Sequence, residues 1–204
     1  MLATGNPHIK EKMDLDIQVQ KLKLLKSNFL SEKYSLEDKI IKYYPERIAT
    51  LKTRINGLVK DVETANAHPK STADMFVGMK ISGVFYSDKT EAGKAILNAC
   101  KTMSSPDPIP LGECRGFKLE LYFDTFDRTY NVKVKGETSR NVPLGEDVHG
   151  NIVRIENGID KFNEVLATTK DDLENTEKQF ETAKIEVEKP FHQEEELKSK
   201  LARL

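Results

Sequence analysis

From Ile152 the chain runs Ile155, Ile159, Phe162, Leu166, Thr169, Leu173, Thr176, Phe180, Ala183 and Val187, with spacings of three and four residues in unbroken alternation. Only a helix brings such positions onto one side, and a seam this regular is that of a coiled coil. At 1.5 Å per residue the stretch from 152 to 187 would rise roughly 54 Å, longer than most domains are wide. Arg154, Glu156, Asp160, Lys161, Asp171, Asp172, Glu174, Lys178 and Glu181 fall between the seam positions and read as its solvated flanks. Pro190 has no N–H to donate and should end or kink the helix.

A second seam lies upstream at Tyr44, Ile48, Leu51, Ile55, Leu58 and Val62. Pro45 within it marks either a first-turn position or a kink. Before it, Leu15, Val19, Leu22, Leu25 and Phe29 outline another amphipathic helix, which SNFLSEKYS should interrupt. Residues 66–74 (NAHPKSTAD) read as a linker. The segment charges are +4 for residues 1–70, −2 for 71–169 and −3 for 170–204, which suits first and last thirds lying side by side and antiparallel.

The middle of the chain changes period. Met79–Tyr86 reads as one strand, and Asp88 or Thr90 as the cap of a short helix with Ala92, Ala95, Ile96, Ala99 and Met103 on its apolar side. SSPDPIP is expected to be loop. Phe117, Leu119, Leu121 and Phe123 then alternate with polar residues, as do Tyr130, Val132 and Val134. A hairpin closing on Phe126–Asp127 pairs Phe123 with Tyr130, Leu121 with Val132 and Leu119 with Val134, so that every apolar side chain shares one face. Residues 138–142 add an edge strand.

The predicted fold class is α+β, predominantly helical: an antiparallel coiled-coil hairpin with a small α+β domain, an antiparallel sheet plus one helix, inserted at its tip. The segments are an N-terminal helix (1–35), a first coiled-coil arm (36–66), the inserted domain (75–145), a second arm (150–189) and a short C-terminal helix (191–204).

Composition narrows function mainly by exclusion. The 204 residues hold 32 Lys and Arg against 33 Asp and Glu, a net charge of −1, unlike a globally basic protein living on phosphate contacts. No Trp and 7% aromatic residues imply an aliphatic core. No stretch reaches the roughly 18 apolar residues of a membrane span, and the first residues lack the apolar run of a secretory signal. No membrane partner is therefore expected, and the compartment is expected to be a reducing cytoplasm. Cys100 and Cys114 do not have the spacing of a redox or zinc pair, and His8, His68, His149 and His192 are scattered singly. No metal or cofactor is expected. His192 beside Glu194, Glu195 and Glu196 resembles a ligand cluster, but no second His lies nearby and a solvated helix start explains it.

A phosphate-binding loop needs G-x-x-x-x-G-K-[ST]. Gly93-Lys94 comes nearest, but Ala95 follows where Ser or Thr belongs, Asp88 stands at the first Gly, and the pair lies within a predicted helix. No G-x-S-x-G, H-E-x-x-H or EF-hand pattern occurs. No catalytic residue is assigned.

The basic side chains of the inserted domain are the one plausible binding surface. Glu120 would face Lys133, whereas Lys118 would face Lys135, and like charges directly opposite are destabilising. The two lysines either splay into water or share an anion such as a nucleic-acid phosphate. Arg115, Arg128 and Arg140 lie within a few residues of this sheet. The expected contact set is Lys118, Arg128, Lys133, Lys135 and Arg140, on the polar side and turn-side rim.

The runs LATGNPHIKEKMDLDIQVQKLKLLK and TSRNVPLGEDVHGNIVRIENGIDKF resemble the region that follows the motor in very large Swi/Snf-like (superfamily-two) helicase and helicase–methylase proteins of bacterial phages and conjugative elements. The similarity covers nearly the whole chain and rests on two extended stretches, residues 2–26 and 138–162. It implies an accessory piece of a larger ATP-dependent enzyme, with the motor of the same polypeptide as partner. No Walker box or arginine finger is present to carry over, and Asn6-Pro7-His8 departs from an Asn-Pro-Pro-Tyr methylase motif. Met1 abutting mid-family sequence and the helical pattern at the C-terminus fit an excised fragment. The first functional expectation is a non-catalytic accessory domain presenting an α+β tip to DNA, with weak, non-specific binding, or to another domain of the parent. The second is a coiled-coil scaffold that recruits protein and never touches DNA. A small free-standing enzyme is third, and no constellation supports it.

Overall fold

The computed structural model describes residues 7–72 and 74–204. Residues 1–6 of the expected N-terminal helix, the Asn6 of the methylase comparison and Ala73 of the expected linker lie outside the described residues. The chain divides into two compact units: residues up to Ala49 with Glu174–Leu204, and Thr50–Leu173.

The first unit is helical. Helix α1 runs Pro7–Asp38 without a break, so SNFLSEKYS does not interrupt it. A single Ser or Asn in a helix costs only a few tenths of a kcal/mol relative to its neighbours, too little to stop a long helix. A π-helical turn, Lys39–Tyr43, leads into α2, Tyr44–Ala67. In that turn the Tyr44 N–H reaches back to the Lys39 carbonyl, one residue further than in an α-helix. Pro45, the next residue, has no N–H and crowds the carbonyl four residues before it, and the widened turn accommodates both defects.

Within the same unit, α6 (Glu194–Arg203) lies antiparallel on α1. Lys26 pairs with Glu194 at 2.8 Å, Arg203 with Glu11 at 3.3 Å, and Lys200 hydrogen-bonds Gln18. Val19, Leu22 and Leu197 form a small buried cluster, and Phe29 meets Phe191 at 5.6 Å between ring centres. Tyr44 stacks on Phe180 at 5.4 Å, with the Lys184 ammonium 4.0 Å from the Phe180 ring.

The second unit is a six-stranded antiparallel sheet in the order β2-β1-β3-β4-β5-β6, covered on one face by helices. Its strands are β1 Met79–Ile81, β2 Val84–Tyr86, β3 Ile109–Cys114, β4 Phe117–Asp124, β5 Thr129–Lys135 and β6 Ser139–Pro143. The β4–β5 register matches the alternation in the sequence: Phe123↔Tyr130, Leu121↔Val132 and Leu119↔Val134. Helix α3, Lys89–Thr102, begins where Asp88 accepts a hydrogen bond from the Glu91 N–H at 2.9 Å.

Two readings of the middle segment need correction. Met79–Tyr86 is a hairpin and not one strand, because Ser82 and Gly83 both take positive φ (49° and 85°) and turn the chain. Arg115 (50°) and Gly116 (80°) do the same between β3 and β4. Two positive-φ residues in a row make the two-residue turn that matches strand twist. Ile109–Pro110, expected as loop, opens β3.

The long second seam is also divided: α4 covers Gly150–Asp160 and α5 covers Phe162–Val187, with Lys161 between them. The seam positions Ile152, Ile155, Ile159 and Phe162 are the deeply buried part, at 2% exposure or less. They lie with Leu58 and Ala65 of α2, Ala92 and Ile96 of α3, and the apolar strand residues in one core. The sheet's apolar face therefore packs against α4 as well as the predicted helix. Glu156 is not a solvated flank: it is 4% exposed and accepts the Ser71 N–H at 3.2 Å.

A carboxylate ties the last hairpin to α2. Asp61, 1% exposed, accepts the Glu137 N–H at 2.7 Å, the Thr138 N–H at 2.9 Å and the Thr138 hydroxyl at 2.5 Å. Gly136 makes room for it, since a Cβ there would stand 2.0 Å from Asp61 Oδ1. Among the described residues no helix is long and apolar enough to cross a membrane.

Candidate nucleic-acid interface

In an antiparallel ladder, residues directly opposite share a face. One row of the sheet's polar face therefore reads Lys80, Glu113, Lys118, Lys135 and Ser139, and the next Pro110, Glu120, Lys133 and Asn141. The Lys118–Lys135 juxtaposition expected from the alternation is present. It is relieved from within the sheet: Lys135 Nζ reaches Glu120 Oε1 at 2.8 Å, and Glu113 lies opposite Lys118 on its other side. Lys118 is exposed and Lys133 half-buried, and neither makes an ion pair among the described residues.

Arg128 sits exposed on the β4–β5 turn with φ +54°. The turn is held by the Asp124 carboxylate, which accepts the Phe126 N–H at 2.9 Å and the Asp127 N–H at 3.1 Å. Phe126 stands 94% exposed at its apex.

Arg140 does not belong with the others. It lies opposite Val134, on the helix-covered side of the sheet, so the structure separates it from Lys118, Lys133 and Lys135. The sequence carried the signal: Val142, two residues on, is apolar, and residues i and i+2 of a strand share a face. At this edge Arg140 and Asn141 line a depression of about 260 Å³ with Arg154, Asn157 and Lys161 of α4 and its end. Arg140 also lines a second depression, of about 320 Å³, with Arg54 of α2, Ser139, Phe162 and Val165. Sequence reasoning missed Arg54, Arg154 and Lys161 as a group. Arg154 and Lys161 read as flanks of one seam and Arg54 falls between positions of the other, and only packing in three dimensions brings them to Arg140.

Arg115, the remaining basic residue near the sheet, serves structure. Its side chain is 6% exposed, with Nη1 2.6 Å from Asp160 Oδ1 and Nη2 donating to the Ala65 carbonyl at 2.9 Å, at the end of α2. Lys70 pairs with the other oxygen of Asp160. Burial alone would raise the Asp160 carboxyl, but these two cations outweigh it and hold the group below the ordinary carboxylate range.

Other chemistry-bearing residues are engaged. Lys94 pairs with Glu91 at 2.9 Å, and Gly93 lies against Val148, whose carbonyl oxygen would be 2.0 Å from a Cβ. The pair thus lies in the interior of α3 and not in a loop able to wrap phosphate. The acidic run after His192 is spent on Lys26, Lys198 and Lys200. Both cysteines are free and buried, and burial, reinforced by the Glu156 charge and partly opposed by Arg115, pushes the Cys114 thiol up to about 12. No protein-family model, curated protein or solved structure matches the chain.

Proposed function

We propose that this chain is a non-catalytic accessory domain of a mobile-element DNA helicase, with the unit Thr50–Leu173 contacting DNA through its basic side chains. The helicase parent and its ATP-driven motor as partner rest on the resemblance of residues 2–26 and 138–162, and the cytoplasmic setting on the cysteine usage and the lack of an apolar run in the first residues. The DNA contact rests on one observation: of the five expected cations, Lys118, Arg128, Lys133 and Arg140 have no carboxylate partner among the described residues. The finer architecture proposed is a coiled-coil pairing of α2 with α5. It is supported by the burial or half-burial of every seam position and by the stacking of Tyr44 on Phe180.

A salt titration of DNA binding by the full chain tests this reading, because phosphate contacts make affinity fall steeply with salt. Weak, sequence-tolerant binding that disappears between about 50 and 200 mM salt is the expected result. The same preparation is expected to hydrolyse no ATP and transfer no methyl group. The second reading, a scaffold for protein partners without DNA contact, is favoured by α1. There Ile9, Met13, Ile17 and Leu24, at helical spacing, are 49%, 62%, 65% and 63% exposed. Absence of DNA binding at low salt would leave that reading standing.

A further inference from the structure

The strongest concentration of unpaired positive charge in Thr50–Leu173 is not on the polar face of the sheet. It lies along the opposite side of the β6 edge, where Arg54, Arg140, Arg154 and Lys161 line two adjoining depressions with no carboxylate in either lining. Arg54, Arg140 and Lys161 form no ion pair among the described residues, and Arg154 spends one N–H on Asn151 Oδ1 at 3.2 Å. Elsewhere in this unit five basic side chains are neutralised: Arg115 and Lys70 by Asp160, Lys135 by Glu120, Lys94 by Glu91, Lys60 by Glu137. Four cations that converge without a counter-charge repel one another, and an anion seated among them removes that cost.

The shape of the edge narrows the ligand. Arg140 lines both depressions, so one residue borders the two. The floor is apolar, because Gly158 lets α4 approach until a Cβ would stand 2.4 Å from Val142 Cγ2. The rim carries neutral donors, the Ser139 hydroxyl in one depression and the Asn157 amide in the other. Two concave sites that share an arginine suit a chain of repeating anions better than one isolated anion, and guanidinium matches phosphate in two-point geometry.

We propose that this edge groove holds the sugar–phosphate backbone of a nucleic-acid strand, with Arg140 bridging successive phosphates and Arg54, Arg154 and Lys161 flanking them. The inference rests on the nucleic-acid reading above and moves the main contact from the polar face of the sheet to the β6–α4 edge. No helix or strand here offers a row of base-reading side chains, so recognition follows the backbone and tolerates sequence.

The test is fluorescence anisotropy of a labelled oligonucleotide with the full chain, over about 50 to 200 mM salt. Arg140→Glu with Lys161→Glu is expected to weaken binding by about tenfold or more and to flatten the salt slope by about two counterions. Lys118→Glu with Lys135→Glu, on the polar face of the sheet, is expected to weaken binding less than the groove pair does and to flatten the salt slope less. Circular dichroism melts check folding. Should the double reversal unfold, Arg140→Gln and Lys161→Gln each keep the test alive, with a slope change of about one. Parent-like binding by the groove variants, with loss in the sheet variant, overturns the groove while the nucleic-acid reading survives. A parent chain that binds no oligonucleotide at low salt overturns both. Binding of poly-glutamate in place of nucleic acid, lost in the groove variants, overturns the proposal in favour of an acidic protein partner.

Discussion

Lys135 Nζ lies 2.8 Å from Glu120 Oε1, on the diagonal of the β4–β5 ladder, while the residue directly across from Glu120 is Lys133. The long lysine side chain leaves Lys118 and crosses to the next row. The like-charge contact is thereby exchanged for an opposite-charge one within the sheet, and no external anion is required. Glu120→Lys would remove the relief and merge the introduced charge with Lys118, Lys133 and Lys135 into one cationic patch. The expected loss is about 0.5–1 kcal/mol at low salt, shrinking as salt rises. Urea midpoints at two salt concentrations decide it, and a salt-independent loss would mean that packing and not charge is at stake.

Asp61 joins α2 to the β5–β6 turn through three hydrogen bonds from a position 1% exposed. Asp61→Ala leaves the Glu137 and Thr138 N–H groups without their partner and should cost about 2–3 kcal/mol. Gly136→Ala should be harmful too, since its Cβ and the carboxylate oxygen claim the same space. Combining the two should cost less than the separate losses added together, a non-additivity measurable by denaturant unfolding.

Acid should loosen the tie between α2 and α4. The Asp160 carboxyl is lowered in the folded state, so its contribution is present in full above the unfolded value near 3.8 and is lost as pH falls through the lowered folded value. Asp160→Asn should reduce stability at neutral pH and make the acid limb of the stability curve shallower. Stability measured from pH 7 down to about 2 would show this as convergence of the two proteins at the acid end. Curves that stay parallel would exclude the ion pairs as the cause.

The buried stretch of the seam separates core from flank. Leu58→Asp or Ile155→Asp places an unpaired carboxylate in the core and should cost more than about 3 kcal/mol. Asp171→Lys, on an exposed position of α5, should change stability by no more than about 0.5 kcal/mol. Glu156→Lys, nearly silent if Glu156 were a solvated flank, should instead cost about 1–3 kcal/mol, because that side chain is buried and accepts the Ser71 N–H. Thermal melts of the four variants rank them.

What is periodic and local was legible in the residues alone. The period of two placed Leu119, Leu121, Val132 and Val134 on one face and with it the register of β4 and β5. The three–four repeat marked which positions of α2, α4 and α5 turn inward, and the start of α3 was narrowed to Asp88 or Thr90, of which the structure uses Asp88. Such signals sit within a few residues of the position they describe. Signals of the same kind, Ser82-Gly83 and the Arg140–Val142 alternation, were present and mark the β1–β2 turn and the true face of Arg140. Which charges are spent and which remain was settled only by packing in three dimensions. Arg115 meets Asp160 across 45 residues, Asp61 meets Thr138 across 77, and Arg140 shares a groove with Arg54 and Lys161. Coulomb and hydrogen-bond energies depend on distance in space, and helices and strands packed on a common core bring together side chains that no window along the chain compares.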